Sequence, residues 1–179
     1  MFTGVVAAIA ALSYALVLKE RLTVPDLCAL HQKIYPKGLW GVTYSDDFKK
    51  DHVQLYPAGE FRSKTSGTMQ NGVPYLYLAP EYIEQAMHEI MHFLENEKDL
   101  HMLVRIILFT SWAGYAHPFH DGNGTVLRLF IVVLLLKNGY LFPAKLHNYA
   151  SCPDIISDLT DSREGRHENL LNHYLQTFL

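Results

Sequence analysis

Residues 117–128 read His117-Pro118-Phe119-His120-Asp121-Gly122-Asn123-Gly124-Thr125-Val126-Leu127-Arg128. Beyond them, up to Lys137, the chain is apolar nearly all round a helical period, the mark of a helix buried on every side. The Gly122-Asn123-Gly124 turn therefore sits at the N-terminus of a central core helix. There the first N–H groups lack helical partners and the dipole end is positive, so an anion is favoured, and glycines let a phosphate approach the backbone. Arg128 lies one turn into the helix, within reach of folding back over its mouth. His117 is a base candidate, because an imidazole is the side chain best matched to accept a proton near neutrality. Asp121 is a metal-ligand candidate, since a hard cation such as Mg²⁺ takes a carboxylate together with phosphate oxygens. A histidine beside a phosphate cradle points to phosphoryl or nucleotidyl chemistry.

Working outward, a helical pattern runs from about Thr3 to Arg21. A second helix follows, with Thr23 as its cap and Pro25 in its first turn, and reaches about Tyr35. Residues 36–62, punctuated by Pro36, Gly38, Gly41, Pro57 and Gly59, read as irregular structure. Residues 63–78 read as a hairpin: Gln70-Asn71-Gly72 is a turn signal, and 73–78 form a short strand that Pro74 confines to an edge. Helices are expected over about 80–95, 99–115, 124–138, 153–161 and 166–178, with Gly139 ending the third.

The 179 residues fit one domain, 1–179, with 1–20 as an N-terminal apolar helix. A net charge of −3 gives no overall pull towards nucleic acid. The two cysteines, Cys28 and Cys152, form no close-spaced pair, so a reducing compartment such as the cytoplasm is expected; a secreted effector is the alternative. The first 18 residues carry no charge. They lack the basic start of a signal peptide and are only marginally long for a membrane span, so a buried helix is expected and a membrane span is not. Met1 precedes apolar residues without a cap, as in a piece cut from a longer protein.

The stretch 117–128 resembles the motif of the Fic family, H-x-F-x-[D/E]-G-N-G-R-x-x-R. His117, Phe119, Asp121, Gly122, Asn123, Gly124 and Arg128 match; Thr125 stands where the family usually has arginine. Gly59-Glu60-Phe61-Arg62 is similar to the family's G-x-[YF]-R entry to a flap, and Leu30-His31 to the Leu-His of its early helix. The resemblance covers roughly 20–179 and is strongest over 59–138. It implies an all-α, Fic-type helical bundle around a central buried helix, with a small β-hairpin flap. It also implies transfer of AMP from ATP to a Ser, Thr or Tyr hydroxyl of a target protein bound along the 63–78 flap. In that reaction His117 is the general base, Asp121 holds Mg²⁺, and Gly122, Asn123, Gly124, Thr125 and Arg128 contact the nucleotide. Asn123 would supply backbone and side-chain donors to the phosphates. Losing the charge of one arginine at Thr125 should cost roughly 1.5–3 kcal/mol of phosphate binding. It leaves open a different nucleotide or diphosphate-linked donor, or a nucleotide-binding module without transfer.

Thr160-Asp161-Ser162-Arg163-Glu164-Gly165 fits the family's inhibitory pattern [S/T]-x-x-x-E-[G/N]. An antitoxin-like partner supplying the glutamate is the alternative to Glu164. A rival chemistry is spelled by His88-Glu89-Ile90-Met91-His92, an H-E-x-x-H zinc-hydrolase signature. It falls on the polar face of an amphipathic helix, and neither Glu95 nor Lys98 continues it to a third histidine, so a solvated helix face is the expected role.

Overall fold

The structure, a computed structural model, describes residues 2–44, 50–70, 73–140, 161–162 and 164–178. Helix α1 spans Phe2–Leu18 and α2 Val24–Ile34. Between them Thr23 caps α2: its N–H and Oγ1 donate to the Asp26 carboxylate at 2.9 and 2.8 Å, with Pro25 in the first turn. Lys19 closes the junction on Asp26 at 2.6 Å.

Two antiparallel hairpins follow. Strand β1 (Leu39–Tyr44) pairs with β2 (Lys50–Tyr56), setting Trp40 opposite Leu55 and Val42 opposite Val53. The expectation of irregular structure over 36–62 is corrected here. Pro36, Gly38, Pro57 and Gly59, which suggested a loop, bound the hairpin instead, Gly41 is taken up within β1 opposite Gln54, and the β-prone Trp40, Val42, Tyr44, Val53, Leu55 and Tyr56 lie in the strands. The flap is the second hairpin, β3 (Gly67–Gln70) with β4 (Val73–Leu76). Pro74 sits in an edge strand as expected, because neither strand has a further neighbour in this two-stranded sheet. The Asn71-Gly72 turn lies outside the described residues.

A 3₁₀ turn at Pro80–Tyr82 leads into α3 (Ile83–Asn96), and α4 runs from Met102 to Ala116. The central helix α5 spans Asn123–Lys137, beginning slightly earlier than its apolar pattern. It ends in a Schellman turn: Gly139 at φ 79° donates to Leu136 O, and Tyr140 N donates to Leu135 O at 3.0 Å. The last described helix, α6, is Glu168–Phe178. The expected helix over 153–161 falls outside the described residues but for Asp161.

Helix α5 is the hub. It packs against α1, α2 and α4, and Val126, Leu127, Phe130, Ile131, Val132, Val133, Leu134 and Leu135 are buried. Lys137 Nζ donates to the carbonyls of Lys19 and Glu20, tying the end of α5 to the end of α1. Leu16 of α1 is buried in the same core. Among the described residues no helix is long and apolar enough to cross a membrane. Helix α6 docks on α4 through Ile107, Leu170 and Tyr174, and the hydroxyls of Ser111 and Ser162 meet at 2.8 Å beside His167. The architecture is all-α with two small hairpins. Its consequence for function is that the end of α4 and the start of α5 meet in the loop 117–122.

Phe130 is fully buried and packs against Phe109, ring centroids 5.5 Å apart. Phe130→Ala should cost about 3–5 kcal/mol, read as a lower urea midpoint with an unchanged slope.

Candidate active site

Helix α4 stops at Ala116 because His117 turns left-handed, φ 46° and ψ 59°, the single non-glycine at positive φ among the described residues. That conformation costs about 1–3 kcal/mol for an ordinary side chain and persists only where surroundings impose it. Arg62 imposes it. Arg62, 2% exposed, donates from Nε to His117 O at 2.7 Å, from Nη1 to Lys64 O at 2.8 Å, and from Nη2 to Ala116 O at 3.1 Å and to Leu78 O. Its own N–H meets Pro118 O at 2.8 Å. The unpaired carbonyls at the C-terminal end of α4 thus receive a cation, and the flap is fastened to the same group. Leu78 N adds a bond to Tyr115 O.

Past His117, every ring of the loop is stacked. Phe119, fully buried, lies on His31 of α2 at 3.9 Å with planes 8° apart. His120 lies on Tyr56 of β2 at 3.5 Å and 15°. His117 lies on Tyr77 at 3.8 Å and 8°. His31 does more than stack. Gly59 N–H donates to its Nδ1 at 2.9 Å, so Nε2 carries the proton and donates to Asp121 O at 3.0 Å. The Leu-His and G-x-F-R resemblances of the sequence are therefore one structural joint, a histidine of α2 linking Gly59 to the motif loop.

Gly122 caps α5 at φ 75°, and a Cβ there would lie 2.5 Å from Tyr35 Cε2; both the dihedral and the space require glycine. Asn123 corrects one expectation. Its side chain is buried, accepting from Phe119 N at 2.9 Å and donating to Phe119 O at 2.8 Å, so the amide holds the loop together instead of facing a ligand. What remains for an anion is main-chain: the first-turn N–H groups of Asn123 and Gly124, which have no partner within the helix. Arg128 folds back as expected, Nη2 donating to Thr125 Oγ1 at 3.4 Å, while Nη1 would lie 3.2 Å from a Cβ on Gly124. The bare α-carbon gives the guanidinium room to lie across the helix mouth. Asp121 is exposed, its Oδ1 receiving Gly122 N at 2.6 Å. His117, Asp121, Gly122, Gly124, Thr125 and Arg128 thus gather at one end of α5. Tyr56 and Tyr77 escaped the sequence reading as parts of this assembly, since nothing local announces which ring a distant tyrosine will meet, and Arg62 was legible there only as the end of the flap-entry motif.

The other motifs lie apart. His88, Glu89 and His92 are exposed on α3, and no group of three potential metal ligands occurs among the described residues. Glu164, exposed, pairs with Arg166 at 2.6 Å, as does Asp161; Thr160 and Arg163 of that motif lie outside the described residues.

Residues 21–135 match the Fic/DOC family. This chain belongs to that family. It is 31% identical over 86 residues to a probable protein adenylyltransferase of Aquifex aeolicus, covering 48% of this chain and 26% of that one. It is 26% identical over 148 residues to the protein adenylyltransferase Fic of Nematostella vectensis, covering 82% and 30%. The chain thus spans under a third of the length of these relatives. Among solved structures, a Fic family protein from Desulfovibrio desulfuricans matches at TM-score 0.74 and 20% identity, over 98% of this chain and 50% of that one. A Fic domain containing signaling protein from Bacteroides thetaiotaomicron matches at 0.73 and 20%, over 96% and 65%. The BepC protein of Bartonella tribocorum, solved with bound AMPPNP, matches at 0.64 and 12%, over 98% and 85%. These likenesses show the fold.

Burial lowers the pKa of His31, and burial together with the positive charges of Arg62 and Lys64 lowers that of His120 to about 4. Unfolded, both rings titrate near 6.5. On acidification the unfolded chain binds protons first. The stability contributed by the neutral rings is therefore complete above about pH 6.5 and lost as pH falls below it, in the case of His120 on descent towards about 4. Thermal melting of the protein in chelator should show Tm falling through that window, with a shallower fall for His120→Gln. A flat profile would mean that these rings do not need to be neutral.

Proposed function

We propose that this chain transfers AMP from ATP to a serine, threonine or tyrosine hydroxyl of a target protein. The observation that carries the reading is the convergence, at one helix mouth, of a histidine held in a strained conformation with open main-chain donors and an arginine folded over them. The adenylyltransferase names of its relatives support it.

The target hydroxyl attacks the α-phosphorus. Its oxygen forms the new P–O bond, the bond from phosphorus to the bridging oxygen breaks, and pyrophosphate leaves. His117 takes the hydroxyl proton, a task suited to an imidazole near neutral pH. The N–H groups of Asn123 and Gly124 and the Arg128 guanidinium bind phosphate oxygens. Because they are held beforehand, they stabilise the transition-state charge without reorganising. The site fits Mg²⁺: Asp121 is an exposed carboxylate beside the phosphate position and takes part in none of the described salt bridges. When bound there, the metal would neutralise phosphate charge. The target segment pairs with an edge of the flap hairpin through main-chain bonds, so little of its side-chain identity is read.

Thr125 favours a second reading, a donor lacking the triphosphate tail. It contributes a hydroxyl already engaged by Arg128 where a second cation would otherwise stand.

Incubation with labelled nucleotides and Mg²⁺, scored for labelled protein including the chain itself, tests both readings. His117→Ala should abolish labelling and leave nucleotide affinity and Tm near wild type; full labelling by that variant would eliminate the mechanism.

Thr125→Arg should tighten ATP binding by roughly 1.5–3 kcal/mol, the worth of one charge-assisted contact. Calorimetric titration with ATP and with a diphosphate-linked donor checks this. An arginine variant that gains nothing with ATP and loses turnover with the other donor would favour the second reading.

A further inference from the structure

The imidazole of His117 has a partner that the chemistry above does not use. Tyr77 directly follows β4, and its N–H donates to Ser66 O at 3.0 Å, closing the stem of the flap. Its half-buried ring lies flat on His117, and Tyr75 of β4 braces it edge-on with centroids 5.9 Å apart. The main chains on both sides of this stack end on one group, because Arg62 donates to His117 O and to Leu78 O. The second side-chain torsion of histidine is intrinsically broad, so a fixed backbone alone leaves the ring plane free. A covered face removes that freedom.

We propose that Tyr77 is a positioning residue for His117, setting the plane of the imidazole and coupling it to the flap that receives the target. The proposal rests on the reading of His117 as the base of a transferase. A base works only with its ring nitrogen aligned on the proton it takes, and misplacement by about 1 Å can cost on the order of 100-fold. Because the ring that holds His117 is carried by the flap stem, target strand and base share one frame: whatever reseats the hairpin reseats the imidazole.

Three variants of the full chain test this, Tyr77→Phe, Tyr77→Leu and Tyr77→Ala, each in two experiments. The first is NMR of the His117 ring protons, assigned with His117→Ala. They should be displaced upfield by the aromatic face in wild type and in Tyr77→Phe, and move downfield in the leucine and alanine variants. The second is the kinetics of self-labelling with α-labelled ATP and Mg²⁺. In the leucine variant the maximal rate should fall about 10- to 100-fold with the KM for ATP within about twofold of wild type, and phenylalanine should restore it. Equal loss in the phenylalanine and leucine variants would overturn the proposal, since the hydroxyl and not the stack would matter. A leucine variant of wild-type rate, or ring shifts indifferent to residue 77, would overturn it too. A fall in Tm that tracks the rate across all three variants would reduce Tyr77 to a structural residue and likewise overturn it. Should the wild-type chain label nothing, the transferase reading fails separately, and the ring shifts alone decide whether Tyr77 orients His117.

Discussion

The Arg62 guanidinium leaves water to meet main-chain carbonyls, and the site is assembled around it. Burying a cation costs several kcal/mol, offset here by charge-assisted hydrogen bonds to Lys64, Leu78, Ala116 and His117, each worth about 1.5–3 kcal/mol. Two of those carbonyls end α4, where the helix dipole is negative. Arg62 offsets that end, which lies a few residues before the positive start of α5. The other two belong to the flap stem. A single buried side chain thus joins His117, the end of α4 and the stem of the flap hairpin.

Around that anchor the loop is rigid for a second reason. Its three rings lie face to face with rings from three different places: Phe119 with His31 of α2, His120 with Tyr56 of β2, and His117 with Tyr77 beside β4. The Asn123 amide closes the loop on Phe119 from within, and His31 holds the Asp121 carbonyl from outside. In the proposed reaction, a site prepared in this way would not need to reorganise as charge develops, the condition under which fixed dipoles stabilise a transition state most. Asp121, Gly124 and Thr125 stay exposed beside this held loop.

Much of this could be read directly from the residues. The apolar ring of α5, the Thr23 cap with Pro25, the Gly139 stop and the flap with Pro74 at an edge follow from local rules that tertiary packing did not override. The hairpin β1–β2 was hidden because its glycines and prolines read as loop punctuation, while its evidence lies in cross-strand pairs such as Trp40 with Leu55. The residue type of Asn123 suits a phosphate contact; its actual partner, Phe119, is set by how tightly the loop folds.

Sequence alone determined the family motif, the helix on which it sits, and the side chains proposed for nucleotide transfer, since those depend on residue type and on spacing within one short segment. Tertiary structure alone decided that Arg62 clamps the end of α4, that His31 carries its proton on Nε2, and that Tyr77 covers the His117 ring. Those facts arise from contacts between segments well separated along the chain, such as Arg62 with His117 and Gly59 with His31. Closing such contacts depends on the packing of the whole chain, which no local pattern of residues encodes.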